Sequence, residues 1–175
     1  MPQCFIGVGS NLGNREESIR NAQKLLKHHS QIKFIQSAPI YETKPVGGPK
    51  QGEFLNTVWE IKTTFSPDEL YRALQEIERK LGRVRTVKDG PRTMDLDILY
   101  YGKKCMNEVH KKTTVTKDHD DKRIFNTERN SLQIPHPRIE TRWFVLKPLA
   151  DIHSEFVDPR NNKTISQMLK DLESK

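Results

Sequence analysis

Apolar positions gather at Cys4-Phe5-Ile6-Gly7-Val8 and give way to Gly9-Ser10-Asn11-Leu12-Gly13, which predicts a buried strand running into a glycine-rich loop. Asn14 with Glu17 three residues on has the form of a capping box. Ile19, Ala22, Leu25 and Leu26 follow at helical spacing up to the basic end Lys27-His28-His29. Residues 32–41 mix β-branched and aromatic positions and read as a second strand, closed by the turn-rich Lys44-Pro45-Val46-Gly47-Gly48-Pro49-Lys50. From Phe54 to Thr63 the chain alternates, with Phe54, Asn56 and Val58 on one face and Leu55, Thr57, Trp59 and Ile61 on the other, the second set being the expected core face. A helix is then signalled at both ends. Ser66 is the N-cap, Pro67 the first helical residue and Glu69 the box partner; Leu70, Ala73, Leu74, Ile77 and Leu81 share a face, and Gly82 stops it. A basic loop at 83–92 leads into a strand from Thr93 to Tyr101. Residues 103–131 hold 13 charged residues in 29 with little periodicity, and are expected to form an exposed insertion or extended hairpin. Order returns at Leu132-Gln133-Ile134-Pro135-His136-Pro137 and Phe144-Val145-Leu146, and the chain finishes with Ile165, Met168, Leu169 and Leu172 at helical spacing. The succession β, α, β, β, α, β, with connections too short for parallel crossovers, predicts one α+β domain over 1–175 with a mostly antiparallel sheet.

At 175 residues the chain is long enough to bury a core without staples. Its two cysteines, Cys4 and Cys105, are too few for a disulfide framework or a structural zinc site and fit a reducing compartment, with one bridge still open. No apolar run approaches the ~20 residues that span a bilayer, and the first residues lack the basic and apolar regions of a signal peptide. A soluble cytoplasmic protein is expected. The net charge of +7 admits nucleic acid, a membrane surface or a phosphate-rich small molecule as partner.

Asp95 and Asp97 narrow that choice. Two residues apart on a strand, they send both carboxylates to one face while Met94, Leu96 and Ile98 enter the core. Aspartate is a poor strand former and like charges repel, so the pair is better explained by a hard cation than by a solvated strand face. Magnesium suits two carboxylates because it draws its other ligands from water and substrate phosphates. Just upstream lie Arg92, Lys88, Arg85 and Arg83, whose charges suit phosphate oxygens. Basic groups beside paired carboxylates are what a metal-bridged polyphosphate requires.

The stretch Lys88-Asp89-Gly90-Pro91-Arg92-Thr93-Met94-Asp95-Leu96-Asp97-Ile98-Leu99 resembles the signature of the 6-hydroxymethyl-7,8-dihydropterin pyrophosphokinases of folate biosynthesis. The likeness extends to Ile6 through Gly13, Phe54-Leu55-Asn56, Gly82-Arg83-Val84-Arg85, Ile134-Pro135-His136 and Arg142-Trp143-Phe144. It implies a ferredoxin-like α+β sandwich and transfer of pyrophosphate from ATP to the pterin hydroxymethyl group, with AMP released. It further implies that Asp95 and Asp97 hold two magnesium ions and that Arg92 and Arg85 act with them in catalysis. Gln75, Arg85, Lys88, Arg92, Ile98, His136 and Arg142 would contact ATP; Thr43, Val46, Phe54, Asn56, Asp95 and Phe144 would form the pterin site. Phe54 and Asn56 share a strand face, so one can stack on a flat heterocycle while the other reads its edge. Glu78, one turn after Gln75, is open to a role at the site or in the structure. The chain departs from the family pattern where Lys88-Asp89 replaces Arg-Trp, where Phe54 replaces tyrosine, where Ser131 and Gln133 replace Arg and Thr, and in the length of 103–131. The loops at 43–52 and 83–92 are candidate lids.

Two other classes share some of these features. A ferredoxin-like RNA-binding module would also be basic with exposed aromatics, but no RNP1-like run is present and Asp95 and Asp97 would repel a phosphate backbone. A dinucleotide-binding oxidoreductase is suggested by Gly7, Gly9 and Gly13, yet that spacing is one residue longer than the Rossmann fingerprint and no acidic ribose partner follows. Asp118-His119-Asp120-Asp121 is read as a solvated turn. The expected partners are therefore ATP and the pterin alcohol, without nucleic acid or membrane, for a monomer or weak dimer that is either free or one module of a bifunctional folate-pathway polypeptide. The charge is consistent with this. Segments 83–92 and 135–147 carry +3 and +2, and the insertion carries a further +3 with no role assigned.

Overall fold

The computed structural model of the protein describes residues 1–83, 90–117 and 123–175, with the backbone alone described for 108–117 and 123–131. Arg85, Lys88 and the Asp118-His119-Asp120-Asp121 segment lie outside the described residues. The first strand, β1 (Gln3–Ser10), runs into helix α1 (Arg15–Lys27), where the Asn14 side chain accepts the Glu17 backbone N–H as the pattern predicts. β2 (Ile32–Ser37) and β3 (Tyr41–Thr43) replace the single strand expected over 32–41. Pro39 has no N–H to offer a ladder, and the chain is instead held there by Ala38, whose N–H donates to the Val58 carbonyl at 2.9 Å. β4 (Phe54–Thr63) and α2 (Pro67–Lys80) match the pattern closely. Ser66 and Glu69 form the full capping box, and Gly82, at φ 77°, takes the left-handed conformation that stops the helix.

β5 (Asp95–Tyr101) completes the main sheet, whose order is β2-β4-β1-β5 with β3 also paired to β4, every pair antiparallel. β6 (Met106–Lys117) and β7 (Arg123–Ile134) pair as a separate two-stranded hairpin from Met106–Ile134 out to Lys117–Arg123. Its base joins the main core through buried Leu132 and Ile134. A 3-10 turn at Ile139–Thr141 leads into α3 (Trp143–His153), and α4 (Ile165–Glu173) follows. α3 is the element the pattern did not show beyond Phe144-Val145-Leu146, because Pro148 sits inside it and obscures a helical reading.

The expectation of one core face on β4 is corrected by the packing. Leu55, Trp59 and Ile61 do pack with Ile6, Val8, Leu26, Leu70, Leu74 and Ile77 beneath α1 and α2. Val58, on the opposite face, is equally buried with Phe5, Tyr100, Leu146, Leu149 and Met168. α3 and α4 supply that second layer, so both faces of the sheet are covered. Burying two faces explains why Phe54 to Ile61 is more apolar than an ordinary half-exposed strand. Both cysteines are free, Cys4 buried and Cys105 exposed, and burial pushes the Cys4 thiol up to about 12, which leaves it inert at neutral pH.

Candidate active site

A cleft opens where the central strand β1 carries glycine in place of side chains. Gly9 pairs with Asn56 on one side and Asp95 on the other; Gly7 pairs with Val58 and Asp97. Neighbouring strands lie ~4.8 Å apart, so each row spans about 10 Å from β4 to β5 across a floor with no side chain at its centre. A Cβ on Gly9 would stand 3.1 Å from Asn56 Oδ1 and 3.9 Å from the Asp95 Cβ, and one on Gly7 would meet Leu99 at 3.2 Å. Only glycine leaves the floor open. A bulge in β5 opposite Phe5 and Ile6 then turns Leu99 to the same side as Asp95 and Asp97.

One wall is apolar and amide-bearing. Phe54, Asn56, Thr43, Val46 and Phe144, the residues expected for the pterin, all line the cleft. Asn56 Nδ2 donates to Thr43 Oγ1 at 2.8 Å, which sets the amide orientation, and the Arg142 guanidinium lies 5.5 Å from the Phe144 ring centroid. The other wall is ionic. Arg92 Nη1 reaches Asp95 Oδ2 at 2.6 Å and Arg83 Nη1 reaches Asp95 Oδ1 at 2.8 Å, so each oxygen of Asp95 has its own guanidinium. Arg83 is also paired with Glu78. Glu78 is buried beneath β5 and accepts the Leu96 backbone N–H at 2.7 Å, a donor on the sheet's outer edge that has no strand partner there. Glu78 thus supports the site from below. Burial pushes its carboxyl up to about 7, against the pull of Arg83 and with the help of the Asp95 charge. Burial lowers Arg83 but is outweighed by Asp95 and Glu78, so its basicity is raised.

Asp97 is placed differently. Among the described residues, the basic group standing against it is His136, whose Nε2 lies 4.0 Å from Oδ2. Desolvation and the neighbouring Asp95 raise its pKa to about 6, and Arg142, Arg83 and Arg92 only partly offset this. A cation would relieve that repulsion, which is the physical sign that the pair suits a metal. Among the described residues no three His, Cys, Asp or Glu side chains are grouped so as to hold a metal ion. His136 is brought down to about 4 by burial and by Arg142 and Arg138, so it is neutral at physiological pH and offers a hydrogen bond, not a charge. Burial and Arg138 likewise lower Arg142.

Of the residues expected at ATP, Arg92 and Arg142 line the cleft and His136 stands beside Asp97. Gln75 does not reach it: the amide donates to Tyr71 Oη at 2.7 Å on the flank of α2. Nor does the Ile98 side chain, which is buried among the residues under α1 and α2 because alternation sends it opposite to Asp97. Arg85 and Lys88 lie outside the described residues. The structure adds Arg83, which the sequence presents only as one of several basic residues, together with Asn11, Gln51 and Arg138. The signal for Arg83 was its place immediately after the Gly82 helix stop, where a side chain folds back onto the helix that precedes it.

The family model for 7,8-dihydro-6-hydroxymethylpterin-pyrophosphokinase matches residues 5–154. The chain is 42% identical over 149 residues to the 2-amino-4-hydroxy-6-hydroxymethyldihydropteridine pyrophosphokinase of Bacillus subtilis, covering 85% of this chain and 77% of that one. It is 36% identical to the protein of the same name from Haemophilus influenzae, over 97% and 92% of the two chains. The folic acid synthesis protein fol1 of Pneumocystis carinii is 38% identical, over 93% of this chain but only 19% of its own length. In structure, Plasmodium falciparum HPPK-DHPS superposes with a TM-score of 0.70 at 15% identity, over 99% of this chain and 45% of that chain, which speaks to the fold alone. With a match across most of its length and relatives of comparable size, the chain belongs to the 7,8-dihydro-6-hydroxymethylpterin-pyrophosphokinase family.

Proposed function

We propose that the cleft transfers the β,γ-pyrophosphoryl group of ATP to the hydroxymethyl oxygen of 6-hydroxymethyl-7,8-dihydropterin. Family membership makes the chain a pyrophosphokinase of folate biosynthesis. The observation that carries the residue assignment is the open glycine row, which sets Phe54 and Asn56 on one strand opposite Asp95 and Asp97 on another. A flat heterocycle stacked on Phe54 and read by Asn56 has its substituent directed across Gly9 toward the carboxylates. There the pterin hydroxyl attacks the β-phosphorus. The new O–P bond forms as the bond to the α,β-bridging oxygen breaks, AMP leaves with that oxygen, and the hydroxyl proton passes to solvent water.

Asp95 and Asp97 would hold two magnesium ions, whose chemistry would be to neutralise charge developing on the transferred group. Arg92 stabilises the transferring group from its place beside Asp95, and Arg142 and His136 hold phosphate oxygens at the cleft's far end. Arg85 and Lys88 enter by sequence alone as basic residues of the same loop. Gln75 and the Ile98 side chain are left out, since neither reaches the cleft. Strand order and helix sequence support a ferredoxin-like βαββαβ core with α3 and α4 added on its open face. That added layer covers much of the sheet face an RNA-binding module would need, and the antiparallel pairing leaves no site for a dinucleotide fold. The chain is proposed to act as one domain, in the cytoplasm and either alone or fused to another folate enzyme. No helix among the described residues is long and apolar enough to cross a membrane.

The test is to incubate the protein with ATP, magnesium and the reduced pterin alcohol and to identify the nucleotide released. AMP is expected; ADP would reject pyrophosphoryl transfer.

A further inference from the structure

Asn11 follows the last residue of β1 and does not itself line the cleft, yet it joins the cleft's two loop walls. It is 7% exposed, and its amide is used at every hydrogen-bonding group. Nδ2 donates to Gln51 Oε1 at 2.9 Å and to the Gly52 carbonyl at 3.1 Å, while Oδ1 accepts the Arg92 backbone N–H at 2.7 Å. Its own backbone N–H donates to the Arg92 carbonyl at 3.0 Å. Gln51 and Arg92 both line the cleft. The loop between β3 and β4, which carries Val46 and Gln51 on the pterin side, is therefore tied through one side chain to the backbone of the arginine on the phosphate side. The approach is close: a Cβ on Gly52 would stand 3.4 Å from the Asn11 carbonyl oxygen. Beside this junction Ser10 Oγ donates to the Thr93 carbonyl at 2.7 Å, so the end of β1 grips the chain on both sides of Arg92 and leads into β5.

An asparagine amide has two N–H donors and one carbonyl acceptor, and here the donors serve one wall and the acceptor serves the other. Leaving any of these buried groups unpaired is unfavourable, so displacing either loop from Asn11 penalises the arrangement of both. Resting on the pyrophosphoryl-transfer reading, we propose that Asn11 is a positioning residue that couples the pterin-side loop to Arg92, so that occupation of one substrate site favours the arrangement needed at the other. Such coupling is reciprocal: bound nucleotide tightens pterin binding by the factor with which bound pterin tightens nucleotide.

The experiment compares the whole chain with its Asn11→Ala and Gln51→Ala variants. It measures AMP release, the Kd for Mg-ATP alone, and the Kd for the pterin with and without a non-hydrolysable ATP analogue. For Asn11→Ala, kcat/KM for the pterin is expected to fall roughly 10- to 100-fold. The Kd for Mg-ATP alone should stay within about two-fold, and the analogue should no longer tighten the pterin; a merely structural role would not separate these readouts. Gln51→Ala removes one of the four bonds and keeps the test decisive should Asn11→Ala fold poorly; a smaller loss in the same sense is expected. The double variant should be little worse than Asn11→Ala. Wild-type synergy retained in both variants, or losses that simply multiply, would overturn the coupling while leaving the transfer reading intact. Absence of AMP from the wild type would reject that reading and the coupling with it.

Discussion

Asp97, a residue of β5, and Asp158, which is bonded to Tyr100 of the same strand, face opposite electrostatic conditions. Asp158 is fully buried and saturated. Tyr100 Oη donates to it at 2.7 Å, Arg160 Nη2 at 2.6 Å, and the Arg160 backbone N–H at 2.8 Å. Burial alone would raise its carboxyl, but these donors outweigh it and hold the pKa below the usual carboxylate range. The same bond, with burial foremost, raises the Tyr100 phenol. Asp97, three residues from Tyr100, has the reverse balance: burial and a like charge at Asp95 raise it. A carboxylate that is complete within the protein staples the segment after α3 to the sheet. One that remains under repulsion is kept for something the protein binds.

That contrast breaks most sharply at Asp97. Asp97→Ala should lower magnesium-dependent AMP release by at least about 1000-fold, because several kcal/mol of charge stabilisation is removed, while the melting temperature stays level or rises. A variant that melts early with turnover per folded molecule intact would make Asp97 structural and erase the distinction. Arg92→Ala is expected to reduce kcat by about 100-fold or more with a small change in stability, checked by steady-state kinetics alongside thermal melting. Asp158→Ala should show the opposite profile. Removing one partner of a buried ion pair costs about 3 kcal/mol, equivalent to a fall of roughly 6–12 °C in Tm for a chain of this size, with kcat of the folded fraction unchanged. A loss of kcat without a loss of Tm would place Asp158 in the site after all.

The smallest effect sharpens the comparison through pH. A carboxyl whose folded pKa is depressed contributes stability that is present above the unfolded value, ~3.9, and is lost as pH falls through the folded value. The wild type should therefore lose part of its stability on strong acidification through Asp158. In Asp158→Asn that component is missing, so the acid limb of a curve of unfolding free energy against pH should be shallower by about 1 kcal/mol or less per pH unit. Superimposable limbs would show that the Arg160 and Tyr100 bonds do not depress the carboxyl.

Local signals were reliable where the chemistry is local. The caps at Asn14 and Ser66, the stop at Gly82 and the alternation that puts Asp95 and Asp97 on one face all act within a few residues. The same alternation sends the Ile98 side chain into the core, away from the aspartates. No pattern could show that Tyr71, one turn earlier, holds the Gln75 amide. α3 was hidden by Pro148, and the second buried face of β4 followed from α3 and α4 alone. Asn11 could be seen as part of a glycine-rich turn but not as a junction, because Gln51 and Arg92 lie 40 and 81 residues away along the chain.

By itself, then, the sequence determined most of the strands and helices and the paired carboxylates on one strand face, because each depends on side-chain period, capping or composition within a short window. Tertiary structure decided which arginine meets which oxygen of Asp95, why Gly7 and Gly9 must lack side chains, and how Asn11 joins two distant loops. Those are contacts between neighbours in space, set by strand register and by the burial of both sheet faces, and neither has a counterpart in local order along the chain.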